Sequence, residues 1–82
     1  MRLTKKEISE NIKLSKLTNF PSTFDYHASI RGFLFETHKN NELYEEDDQG
    51  NCTFIEHVNN KKEVVNAIYD WFKEYASQEF DN

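Results

Sequence analysis

The chain has one proline, two glycines, one cysteine and no long apolar run in its 82 residues. Each scarcity excludes something. A single thiol, Cys52, cannot cross-link its own chain, so no disulfide framework holds the domain and a reducing compartment is the natural setting. With Gly32 and Gly50 as the only glycines, there is no material for a phosphate-cradling loop. No stretch approaches the ~18 apolar residues that a membrane span needs, and no signal-peptide core follows Met1. The expectation is a cytoplasmic protein without a membrane span; peripheral contact with a membrane stays open.

Aromatic residues stand in for what is missing. Seven Phe, four Tyr and Trp71 make up 15% of the chain. A domain of this size buries only about 60% of its unfolded surface and is marginal. Rings that bury ~150–250 Å² each supply a small core or an interface. The abundance of Asn, Lys, Ile, Phe and Tyr suits an AT-rich genome, such as that of a phage or another mobile element.

The net charge of −5 is unevenly placed: residues 1–20 carry +3, residues 21–60 carry −6 and the remainder −2. This is not the basic footprint of a general nucleic-acid binder. It suits a partner with a basic surface of its own.

The predicted fold is a single α+β domain over residues 1–82, with two helices around a small three-stranded antiparallel meander. Thr4 and Glu7 form a capping box, with Leu3 and Ile8 spaced as a hydrophobic staple, and they open a helix over about 4–17. Residues 22–29 read as a short helical turn followed by a strand from about Ile30 to His38, although Phe24, Tyr26, Ala28 and Ile30 also alternate as a strand would. Asn40-Asn41 and "DDQGN" mark turns that flank a strand at "ELYEE". "CTFIEHV" closes the meander, with Phe54 and Val58 expected on one face and Ile55 on the other. Asn60 and Glu63 repeat the capping spacing. Val64, Val65, Ile68, Trp71, Phe72, Tyr75 and Ala76 then recur at threes and fours, which predicts an amphipathic helix over about 60–78. Phe80 falls in a tail expected to fray.

"EEDDQGNCTFIE", Glu45 to Glu56, can be laid over the register of an EF-hand loop and resembles that family at Gly50 and Glu56, the sixth and twelfth positions. The resemblance implies calcium ligands at Glu45, Asp47, Gln49, Asn51, Thr53 and Glu56. It departs from the family at Glu45, where a shorter Asp is the rule, at Gln49, and at Cys52, where an aliphatic residue stands. "FETHKNNELY" is a poor entering helix. An acidic hairpin turn is the expected reading, with a degenerate calcium loop over 45–56 as a minor alternative.

His38, Cys52 and His57 could meet across a meander as a zinc set, but four ligands in close pairs are absent. Surface histidines and a buried cysteine are expected instead. A Cys52–His57 nucleophile pair has no activating environment announced in the sequence. The carboxylates form no marked acid–base pair. No catalytic residue, metal ligand or cofactor is assigned.

Two surfaces remain for binding. One is the N-terminal helix, with Lys5 and Lys16 around Ile8 and Ile12, able to lie on a membrane or in a partner's groove. The other is an acidic belt of Glu42, Tyr44, Glu45, Glu46, Asp47 and Asp48, whose carboxylates can imitate a phosphate line. The sequence points to a non-enzymatic regulator that binds and inhibits a protein partner, of the kind a phage encodes as a lysis-timing antiholin or host-takeover factor. The alternative is an acidic nucleic-acid mimic that blocks a DNA- or RNA-binding defence or transcription protein.

Overall fold

The computed structural model describes residues 2–15, 25–38 and 41–80. Helix α1 spans Lys5–Asn11 and begins where the capping box places it, with Thr4 Oγ1 accepting the Glu7 N–H at 3.1 Å. Leu3 and Ile8 on either side of the cap are both buried in the core.

The helix stops well short of residue 17. The Asn11 amide donates to the Glu7 carbonyl at 2.8 Å, the kind of side-chain competition that shortens helices. Ile12 turns extended and opens strand β1, Ile12–Ser15. An Ile8/Ile12 pair fits a helix, but Ile12 reaches the same core from a strand.

The expected helical turn over 22–29 is overturned across 25–29 and lies outside the described residues at 22–24. Asp25–Ile30 is strand β2. The alternation wins because Ala28 and Ile30 are buried while His27 and Ser29 face water. Strand β3 is Phe33–His38, β4 is Glu42–Glu46 and β5 is Cys52–His57. All pair antiparallel in the order β1-β2-β3-β4-β5. Among the described residues the sheet has five strands, not three. The two extra strands come from the segment after α1, where short apolar runs fit both periods.

Arg31 and Gly32 make the two-residue β2–β3 turn, with φ of 51° and 88°. Two left-handed residues in a row match the sheet's own twist. Asn41 also takes positive φ, at 58°.

Helix α2, Lys61–Tyr75, is capped by Asn60 Oδ1, which accepts the Glu63 N–H at 2.9 Å. It lays Val64, Ile68 and Phe72 on the sheet face that carries Phe35 and Leu43. Trp71 meets both Phe33 and Phe35 edge-on at 5.1 Å. A 3-10 turn, Ser77–Phe80, follows. That end does not fray: Phe80 packs on Tyr69 at 5.1 Å, and the Leu3 N–H donates to the Glu79 carbonyl at 2.9 Å.

Arg31 ties these pieces together. Its Nε and Nη2 grip both Glu7 oxygens at 2.8 and 2.6 Å, and Nη1 reaches Glu79 at 2.9 Å. A bidentate guanidinium–carboxylate pair fixes geometry as well as charge. The hairpin, α1 and the C-terminal turn are thereby held in one register. Among the described residues, no helix is long and apolar enough to cross a membrane.

Candidate functional site: the open face of the sheet

Both helices use one face of the sheet. On the other face, the period of two brings Leu34, Glu36 and His38 of β3 beside Glu46, Tyr44 and Glu42 of β4, in that order. Cys52, Phe54 and His57 of β5 continue the three rows. A bulge in β5, where Tyr44 pairs Phe54 but Leu43 pairs Glu56, makes room for this. It also changes the expected sidedness. Ile55 packs toward the core and Val58 is fully buried, whereas Phe54 stands 48% exposed.

The rings on this face are continuous. His38 stacks on Tyr44 with centroids 4.4 Å apart, Tyr44 meets Phe54 at 5.7 Å, and Phe54 meets His57 at 5.3 Å. Carboxylates frame them: Tyr44 Oη donates to Glu42 at 3.3 Å, and His38 Nε2 lies 2.9 Å from Glu36. Leu34 is the other large apolar side chain here, 46% exposed. Partial burial and the neighbouring Glu42 push the Tyr44 phenol above its ordinary range.

The acidic belt is divided by this geometry. Glu42, Tyr44 and Glu46 point to the open face, but Glu45 shares the covered face with Phe35, its cross-strand partner. Partial burial, followed by Asp47, Asp48 and Glu46, raises the Glu45 carboxyl above the usual range. Asp47 belongs to the turn: its Oδ1 accepts the N–H groups of Gln49 and Asn51, each at 2.9 Å, and these bonds hold its pKa down. Asp48 is exposed. Gly50 supplies positive φ at 83°. The twelve residues that resemble a calcium loop thus form the end of β4, a hairpin turn and most of β5, not a loop wrapped around a centre.

The N-terminal surface is placed differently from the belt. Ile8 and Ile12 are 0% and 7% exposed and belong to the core, so this apolar stripe is already covered by the domain itself. Lys5 is exposed, with its ammonium 5.1 Å from the Tyr69 ring. Lys16 lies outside the described residues.

Cys52 is exposed, contrary to the buried thiol expected of it. Partial desolvation and the nearby Glu46, Glu36, Asp47 and Glu45 raise its pKa, so it rests as a thiol rather than a nucleophilic thiolate. Its Sγ, a Glu36 oxygen and a His38 nitrogen all lie within 4.8 Å of one another. His57 is not part of that group; its ring contact is with Phe54. Glu36, which the sequence offers only as an extension of the acidic belt, was not among the residues suggested for a metal, although E-x-H on a strand necessarily puts both side chains on one face.

Outside the open face, a groove of about 220 Å³ runs between β5 and α2, lined by Thr53, Ile55, Asp70, Trp71, Glu74 and Tyr75 among others. It too is acidic at its rim. No protein-family model matches this chain, and no curated protein or solved structure proved similar to it.

Proposed function

We propose that this chain is a small non-enzymatic regulator that inhibits a protein by docking a basic surface of it on the open face of the sheet. The observation that carries this reading is the continuous row His38–Tyr44–Phe54–His57, set among Glu36, Glu42 and Glu46 on a face that both helices leave uncovered. Interface centres favour aromatic residues. An incoming Arg has both complements within reach: a ring face for its guanidinium plane and a carboxylate for its donors. The net charge of −5 adds steering toward a cationic partner. We place the protein in the cytoplasm, where an exposed unpaired thiol such as Cys52 stays reduced.

The reading differs from nucleic-acid mimicry in what it asks of the rings. A mimic needs a line of charge. The belt instead sends Glu45 to the covered face and ties Asp47 into its own turn.

The test is capture of partners from a lysate of the source organism by the immobilised protein, by a Tyr44→Ser/Phe54→Ala variant, and by a Glu45→Lys/Asp48→Lys variant. The ring variant is expected to lose a partner that the lysine variant keeps. The captured protein should resist moderate salt, because the buried ring contacts are not screened as exposed ion pairs are. A partner held equally by the ring variant, but lost with the lysine variant and released by salt, would overturn this reading in favour of the mimic.

A further inference from the structure

We propose that Glu36, His38 and Cys52 form a binding site for a divalent transition-metal ion, with zinc the ion that suits it, on the open face of the sheet. The site rests on its own three side chains and stands whether or not the docking reading does.

The backbone does most of the placing. Glu36 and His38 are two residues apart on β3 and share a face, while Cys52 comes from β5, two strands away. Their donor atoms nevertheless converge within 4.8 Å of one another over the intervening strand. Zinc bonds of ~2.0–2.3 Å put tetrahedral donors roughly 3.3–3.8 Å apart, so closing on an ion takes side-chain adjustment of about 1 Å. These side chains are exposed or half-buried and free to make it.

The donor set selects the metal. Thiolate and imidazole favour zinc-type ions over calcium or magnesium, which take oxygen. Glu36 and the thiolate together balance a divalent charge, and Glu46 and Asp47 add negative potential around the sulfur. The ion takes the place of hydrogens already there. The 2.9 Å contact between His38 Nε2 and Glu36 Oε1 shares one proton; with that proton on Nδ1, both atoms offer lone pairs to the metal. The Cys52 thiol gives up its proton to solvent as the sulfur–metal bond forms, so binding releases one proton per ion. Stacking of His38 on Tyr44 at 4.4 Å, with Tyr44 bonded to Glu42, orients the imidazole from behind. Three protein ligands leave the fourth position of the tetrahedron open to water or to an outside ligand, unlike a closed structural site.

The experiment is titration of the full chain with cobalt(II), then with zinc, followed by absorption spectroscopy. Tetrahedral cobalt with a thiolate ligand shows a near-ultraviolet charge-transfer band and intense d–d bands, and zinc should bleach both. Cys52→Ser should abolish the charge-transfer band. His38→Gln and Glu36→Gln should each weaken zinc binding by at least the roughly 10–100-fold that loss of an outer-shell partner causes. His57→Gln should leave it unchanged. Circular dichroism establishes that each variant is folded, as expected for changes on the open face. Absence of the charge-transfer band in the parent protein would overturn the site, as would a band that survives Cys52→Ser or a zinc affinity indifferent to His38→Gln. None of these readouts involves a partner protein.

Discussion

The two faces of this sheet are written by alternate residues of the same strands, and they are solved by opposite means. On the covered face, Phe35 and Leu43 meet Ile68 and Phe72 from α2, and every one of these side chains is at most 2% exposed. On the open face the neighbours Tyr44 and Phe54 touch each other and water, with carboxylates between the rows. Burial of apolar area stabilises the first face; the second contributes little to folding and retains surface that a ligand can cover. The difference separates stability from the recognition proposed for the open face at single-residue spacing, so substitutions one position apart should have unrelated effects.

The strongest way to break that contrast is to truncate one ring on each side. Phe72→Ala leaves a cavity under α2 and is expected to destabilise the domain by about 3–5 kcal/mol. That is a large part of the ~5–15 kcal/mol available to a small domain. Phe54→Ala should stay within about 0.5 kcal/mol, while still weakening whatever docks on the open face. Urea denaturation of the two variants checks this. Equal losses would mean that the open face is packed after all.

A smaller effect tests how the covering helix is started. Asn60→Ala removes the acceptor for the Glu63 N–H and should cost about 1 kcal/mol by the same assay. Thr4→Ala should act similarly on α1. Neither change touches the open face, so partner and metal binding should persist at temperatures where the variants remain folded.

The elements legible in the sequence are those with a physical start signal. Thr4 and Asn60 were readable as caps because each has a glutamate three residues on, and α2 repeats its apolar residues over four turns. Strand β1 had no such mark: four residues with Ile12 and Leu14 as the apolar pair are too few to establish a period. In β2, Tyr26, Ala28 and Ile30 announced a strand, but Tyr26, Ile30, Phe33 and Leu34 fit a helix equally. Only pairing with β3 on one side and β1 on the other decides it. The belt was visible as composition, whereas its division between faces follows once β4 is known to be a strand. The convergence of Cys52 on Glu36 and His38 depends on strand order and on the register of the β4–β5 hairpin, neither of which local sequence encodes.

The finest contrast lies between two carboxylates, and pH reads it. Glu7 is gripped by Arg31, whose hydrogen bonds hold its pKa below the ordinary value. Its folded pKa is depressed, so its contribution to stability is present above the unfolded carboxylate range and is lost as pH falls through the folded value. Glu45 has the opposite sign: partial burial and then the neighbouring acids raise its folded pKa. Its ionised form opposes folding at neutral pH, and protonation relieves this as pH falls through the raised value. Glu7→Gln should therefore lower the melting temperature at pH 7, and the gap from the parent should close in acid. Glu45→Gln should raise the melting temperature at pH 7, with that gain vanishing in acid. Both variants keep a side chain of similar shape, so packing is held nearly constant. Parallel melting curves across pH for either variant would show that its carboxylate is not differently charged in the folded and unfolded chains. The opposition between a carboxylate compensated by Arg31, Glu7, and an uncompensated one, Glu45, would then fail.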